Sequence, residues 1–416
     1  MRMLRPLIAP GPLWVSIALL TLAVALRLLW VDQVKMVGDE SEHYYLEVVR
    51  YRLGAVTFGD LASELRVHFS NPIHAPGSGV QSAHPLLPVL LMGVGEALVP
   101  NGTGARLVNC MFGLATAGML FVIVRESRGL TPAIFALGLG GLMPLALRYN
   151  RTLYLDSIFA FGWTLLVFFL LRMSVSPGLR GALGAGAASA LVISSKISGP
   201  LALPFMVIGM FVGRAHGVSF ARGARFAVLA LLSAGILGIL LNDPVAYLKS
   251  IEYPVDSDYQ NRTIANWLWY LTQPVSLRYI FGAAAFLISP LVVLLAIAGT
   301  VTALVRWNSA PTVDRIAVIG LVAAAPILPL HLPGISAEHG YLAFLPFVVL
   351  LATRGVYSVV APKRRVIVAT IVILTMLPLT VIYGLRISPL PYPSYLNAVD
   401  FGQQFYDFDR QPLHQR

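Results

Sequence analysis

A helix needs roughly 20 apolar residues to cross a hydrocarbon core about 30 Å thick, and apolar runs of about that length recur from one end of this chain to the other. They fall at 13–31, 107–124, 131–147, 157–171, 181–195, 199–213, 226–241, 281–305, 316–330, 341–353 and 366–384. The 416 residues are 57% hydrophobic and only 12% charged, with a mean hydropathy of +0.76, too few charges to cover a water-soluble body of that size. The expected fold class is therefore an all-α integral membrane protein, a bundle of about eleven transmembrane helices.

The net charge of +11 does not point to nucleic acid, because the charges are sorted by side. With the N-terminus cytoplasmic, the inner connections take Arg125, Arg128, Arg172, Arg180, Arg214, Arg222, Arg225, Arg306, Arg315, Arg354 and the Lys363-Arg364-Arg365 run, against Glu126 and Asp314 alone among the acids. Lys and Arg bias in short loops sets orientation, so basicity here is a topology signal with membrane lipid as the counter-charge. The first run has the charged start of a signal peptide and an Ala23-Val24-Ala25 triplet, but its length predicts an uncleaved anchor with Arg27 inside it. Cys110 is the one cysteine and sits in an apolar run, which excludes an intramolecular disulfide and a thiolate metal cluster.

Nearly all the polar length falls on the outer side, in segments 32–104, 242–280 and 331–340 of a membrane domain covering 1–384, followed by a tail at 385–416. No Walker-type glycine loop is present, so energy must arrive with the substrate or not at all. Within the first outer segment, Asp39 to Arg52 reads as a helix lying on the interface. Residues 84–99 read as an interfacial or re-entrant helix interrupted by Pro88 and Glu96.

Asp39 and Glu40, directly after the first span, are costly near lipid unless they have partners, metal or a polar cavity. Asp156 follows the third span in the turn Arg148-Tyr149-Asn150-Arg151-Thr152-Leu153-Tyr154-Leu155-Asp156. Each acid also reads as a plain helix N-cap. Arg148, Arg151 and Lys196 on the same side would suit a phosphate, Arg by a bidentate grip and Lys as a point charge, although each alone also reads as snorkelling. His43, His84 and His339 are outer histidines, without a His-x-x-x-His spacing that would suggest zinc. Asn101, Asn150 and Asn261 stand in Asn-x-Thr acceptor triplets.

The order of these features resembles the GT-C membrane glycosyltransferases that use polyprenyl-phosphate sugars, the group containing protein O-mannosyltransferases and aminoarabinose transferases of lipid A. The resemblance is carried by Gly38-Asp39-Glu40 after the first span, His84-Pro85 before an apolar helix, Arg151 to Asp156 after the third span, and Tyr341-Leu342-Ala343-Phe344-Leu345-Pro346 opening a late span. Lys196 with Gly199 and Pro204 resembles a fifth landmark. The likeness covers roughly residues 10 to 355. Leu86 stands where relatives often have a second proline, and Gly340 where they usually have Arg.

The resemblance implies a GT-C bundle with interfacial helices in the first outer loop, in the plasma membrane of a bacterium or archaeon with its active site on the outer face. It implies an inverting glycosyltransferase that moves a sugar from a polyprenyl-phosphate donor to a hydroxyl or phosphate acceptor. Direct displacement of this kind needs one base for the acceptor and positive charge for the departing phosphate. The assignment that follows gives Asp39 as base, Glu40 as its orienter or a metal ligand, and Asp156 as a second carboxylate positioning acceptor or metal. Lys196, Arg148, Arg151, His339 and Tyr341 go to the donor phosphate, and His84 and His43 to acceptor or loop positioning. A divalent cation, Mg²⁺ or Mn²⁺, between Asp39 and Asp156 is compatible with their oxygen ligands. A secondary transporter or lipid flippase is the rival reading, and it would place its ionisable groups at the bilayer midplane rather than at one face.

Overall fold

A computed structural model of the chain describes residues 10–33, 86–196, 198–212, 220–241, 287–327 and 337–385. Among these residues there is no strand. The helices are α1 (Pro10–Leu28), α2 (Leu86–Leu98), α3 (Thr103–Arg128), α4 (Leu130–Leu142), α5 (Pro144–Asn150), α6 (Asp156–Val175) and α7 (Leu179–Ile193). They continue with α8 (Ala202–Val212), α9 (Phe220–Leu241), α10 (Pro290–Val305), α11 (Thr312–Ala324), α12 (Leu345–Val359) and α13 (Arg365–Leu379). Helices occur within every one of the expected spans, but among the described residues 5 helices, or 6 counting α4 and α5 as one bent span, are long and apolar enough to cross a membrane. The interfacial helix expected at 39–52 lies outside the described residues.

Two expectations change. Pro88 and Glu96 do not interrupt α2: Pro88 falls in its first turn, where the missing N–H has no helical partner to lose. Glu96 is fully buried and accepts the Gly102 backbone N–H at 3.0 and 2.9 Å, holding the turn into α3. The run at 131–147 is not one straight span, because Pro144 cannot donate to the carbonyl four residues before it and the axis bends by 51° between α4 and α5. The carbonyls freed at the break are taken by side chains. Arg27 Nη1 donates to Gly141 O at 2.6 Å, and Thr380 Oγ1 donates to Leu142 O at 2.6 Å. A proline break at membrane depth is tolerated only when neighbours satisfy the backbone in this way.

Lipid tails are as apolar as leucine, so helices in a bilayer associate through close packing and polar contacts rather than through removal from water. The pairing of α10 with α12 shows the consequence. A Cβ at Gly299 would stand 2.0 Å from Leu351 O, and one at Gly355 would stand 2.0 Å from Leu295 O, so only glycine permits this approach. At the centre, Trp163 of α6 packs against Phe205 of α8 and Phe347 of α12, with ring centroids 5.4 and 5.8 Å away. The window Gly340–Val359 is 72% buried within the protein, whereas Phe220–Gly238 is 17% buried and turns Val228, Leu232 and Ile236 outward. Residues at that spacing of four share one face of α9, and an apolar outward face suits lipid.

The charges gather at the two ends of α3. At its C-terminal end Arg128 bonds Asp314, Arg354 Nε stands 3.2 Å from the other oxygen of Asp314, and Arg172 pairs with Glu126 at 2.6 Å. These five are residues that the charge count grouped on one side. At the N-terminal end of α3 lie Arg106 and Asn109, and with them the turn that carries Asp156.

Candidate functional site

Asp156 opens α6, and its carboxylate does not cap the helix: the N-cap position is Leu155, with no side-chain cap hydrogen bond. The capping alternative is therefore excluded. Asp156 Oδ1 instead accepts from Lys196 Nζ at 2.5 Å, with the two residues 1% and 8% exposed. Lys196 reaches it from the turn after α7. Gly199 follows in that turn, where any Cβ would stand 2.4 Å from Ile193 Cα, and the Gly199 N–H donates to Lys196 O at 2.8 Å. The ammonium also lies 6.0 Å from the ring of Phe159, which is three residues along α6 from Asp156 and on the same face.

The second oxygen, Asp156 Oδ2, is buried and has no hydrogen-bond partner among the described residues. A buried carboxylate oxygen without a donor is costly to leave unmade. It is an open acceptor beside a fixed ammonium. Of the two expected metal ligands only Asp156 is described. Its free oxygen fits a hard cation as one ligand, and no group of three His, Cys, Asp or Glu gathers among the described residues.

The other expected residues separate. Arg151, 2% exposed, donates to Leu29 O at 2.5 Å and to Gly384 O at 3.4 Å, bridging the end of α1 and the π turn Thr380–Gly384. Burial pushes its guanidinium below the ordinary arginine value. Arg148 is half-buried with its guanidinium 5.6 Å from the Tyr149 ring. Tyr341 is buried in the 3₁₀ helix Ala337–Phe344, which packs on α6 and α5 and so stands beside the element that carries Asp156. His339 belongs to the same 3₁₀ helix, with its side chain outside the description. Asp39, Glu40, His43 and His84 lie outside the described residues.

Asn150 changes role. Its triplet suggested an exposed glycan acceptor, but it is 2% exposed, and its Oδ1 accepts from Arg27 Nε at 3.0 Å and Nη2 at 2.8 Å. Its Nδ2 donates to Ser157 Oγ at 2.8 Å. A buried side-chain amide engaged from both sides has no room for a sugar. The sequence reading also passed over Asn109, whose Nδ2 donates to Thr152 O at 2.6 Å and Tyr154 O at 2.9 Å, shaping the turn that delivers Asp156. The signal for both was a polar residue inside or beside an apolar run, which must be satisfied internally.

The comparisons with known proteins agree with one another. Residues 83–241 match the family model described as Dolichyl-phosphate-mannose-protein mannosyltransferase. ArnT from Cupriavidus metallidurans, solved bound to undecaprenyl phosphate, superposes with a TM-score of 0.55 at 15% identity, over 98% of this chain and 73% of that one. The archaeal oligosaccharyltransferase AglB from Archaeoglobus fulgidus, solved with an inhibitory peptide and a dolichol-phosphate, gives 0.54 at 13% identity, over 96% of this chain but 59% of its own length. No curated protein matches the sequence significantly. Residues 83–241 are thus similar in sequence to that mannosyltransferase family, and over nearly its whole length the chain shares the fold of the ArnT and AglB structures.

Proposed function

We propose that the protein is an inverting glycosyltransferase that moves a sugar from a polyprenyl-phosphate donor to a hydroxyl or phosphate acceptor at the outer face of a plasma membrane, with its N-terminus cytoplasmic. The observation that carries this reading is the buried Lys196–Asp156 pair, whose Asp156 Oδ2 is left open. The polyprenyl phosphates bound in the ArnT and AglB structures support the donor class.

In the proposed step an acceptor oxygen attacks the anomeric carbon as the carbon–oxygen bond to phosphate breaks on the opposite face of the sugar. Asp39 takes the acceptor's proton, with Glu40 orienting it, and the leaving phosphate's charge is met by Lys196. Lys196 suits that work because burial in a low-dielectric setting strengthens each charge interaction and Asp156 holds the ammonium in place before the charge develops. Arg151 donates to two backbone carbonyls, which leaves Lys196 as the stronger candidate for phosphate. A Mg²⁺ or Mn²⁺ ion held by Asp39 and Asp156 would supply Lewis-acid charge at the same place. Rates in EDTA, before and after Mn²⁺ or Mg²⁺ is added back, test that part.

The test of the whole is transfer of labelled sugar by purified protein from a panel of undecaprenyl-phosphate-linked hexoses and pentoses to lipid, glycan and protein acceptors. Transfer that stops in Asp39→Asn and Lys196→Met supports the reading. Transfer at the unmodified rate in both variants overturns it.

A further inference from the structure

Arg27 lies in the last turn of the apolar helix α1 and is fully buried. A buried arginine is costly unless it has partners, and it finds them on α1 itself, on α4 and on α5. Two of its nitrogens converge on Asn150 Oδ1, at 3.0 and 2.8 Å, while Nη1 takes the Gly141 carbonyl freed by the Pro144 break and Ala23 O at 3.1 Å. The space for Asn150 is made by Gly113 of α3, where a Cβ would stand 1.9 Å from Asn150 Oδ1. Asn150 passes the constraint on through Ser157, the neighbour of Asp156. The exit of α1 is gripped in return. Arg151 donates to Leu29 O at 2.5 Å, and Arg106 donates to Val31 O at 3.2 Å.

The bonds therefore run both ways between the same two stretches of chain, the end of the first helix and the 150–156 turn. Among the described residues neither Arg27 nor Arg151 has a carboxylate partner, and the bonds that hold them run to amide and carbonyl oxygens. Planar guanidinium forks aimed at amide and carbonyl oxygens fix both distance and direction.

We infer that Arg27 and Asn150 form a positioning pair that holds the Asp156–Lys196 pair in register with the exit of the first helix, and that this register sets the rate of sugar transfer. The inference rests on the proposed function. It assigns Arg27 and Asn150 no contact with substrate, so their loss acts on turnover rather than on donor binding.

The test uses the full chain in nanodiscs, with Asn150→Ala, Asn150→Asp, Arg27→Lys and Lys196→Met. Asn150→Asp keeps an oxygen for Arg27, and its carboxylate can accept from Ser157. Arg27→Lys replaces the fork by a single point charge. The expected result is a fall in kcat of at least tenfold in Asn150→Ala and Arg27→Lys, a donor KM within about twofold of the parent, and recovery of at least half the rate in Asn150→Asp. Full turnover in Asn150→Ala, while Lys196→Met is dead, overturns the inference and leaves the proposed function standing.

Hydrogen exchange of the backbone amides at 29–33 is read in the same samples and needs no turnover. Exchange there that speeds up in Asn150→Ala, with Asn150→Asp slow, supports the tie between the two stretches even if no donor is used by the parent, in which case it is the proposed function that fails. Unchanged exchange at 29–33 in Asn150→Ala overturns the inference.

Discussion

Lys196 Nζ lies 2.5 Å from Asp156 Oδ1 although 40 residues separate them in the chain, and both are nearly closed off from solvent. Removing one partner of such a pair leaves an uncompensated buried charge, at a cost of roughly 3–5 kcal/mol. Lys196→Met is expected to lower the rate of transfer by about a hundredfold or more, the scale seen when one preorganised donor to a developing charge is lost. Asp156→Asn is expected to lower thermal stability as well as rate, because Lys196 then has no anion beside it. The double variant Lys196→Met with Asp156→Asn separates the two effects: stability returns toward the parent and activity does not. Thermal unfolding in detergent and the transfer assay check this together.

Gly113 faces the Asn150 amide so closely that a methyl group cannot be added without displacing it. Gly113→Ala is expected to push Asn150 away from Arg27 and to leave a buried guanidinium under-bonded, a loss of about 1–3 kcal/mol. Ala raises intrinsic helix propensity over Gly by about 1 kcal/mol, in the opposite direction. A lower unfolding temperature would show that the clamp dominates. An unchanged or higher one would show that Asn150 moves aside freely. Gly118, five residues along the same helix and with nothing within 4 Å of a built Cβ, is the control, and Gly118→Ala is expected to stabilise.

The sequence carried the helices, and with them Asp156 and Lys196 at their ends, for a physical reason: hydropathy is local, and a helix that lies in lipid announces itself over twenty residues. Pro144 was visible, yet its bend depended on Arg27 and Thr380 supplying donors to Gly141 and Leu142, which are far away in the chain. Asp156 stood out as an acid at the mouth of an apolar run. Lys196 stood out as a cation on the same side, but its pairing with Asp156 did not, because it arrives from the end of another helix. Arg27 read only as a charge inside the first anchor, and Asn150 as one of three acceptor triplets, since neither a lone arginine nor an Asn-x-Thr triplet records burial. Glu96 misled in the same way, its buried carboxylate holding the Gly102 amide rather than breaking a helix.

The cluster at the far end of α3 supplies the contrast that separates stability from chemistry. Asp314 is fully buried and takes Arg128 on one oxygen and Arg354 on the other, joining α3, α11 and α12, while Arg128 Nη1 also donates to Leu350 O at 2.8 Å. Asp314→Asn leaves two guanidinium groups with no anion between them, and the expected cost is about 3 kcal/mol. α3 has 26 residues, and at 1.5 Å per residue that places this cluster nearly 40 Å from the helix's other end. The variant is therefore expected to unfold at a lower temperature while binding undecaprenyl phosphate with the affinity of the parent. Titration of that lipid, with folded protein at a temperature below both transitions, checks it. A loss of binding in Asp314→Asn as large as in Lys196→Met would mean that the two ends of α3 act as one site, and the assignment of phosphate to the Lys196 end would fall.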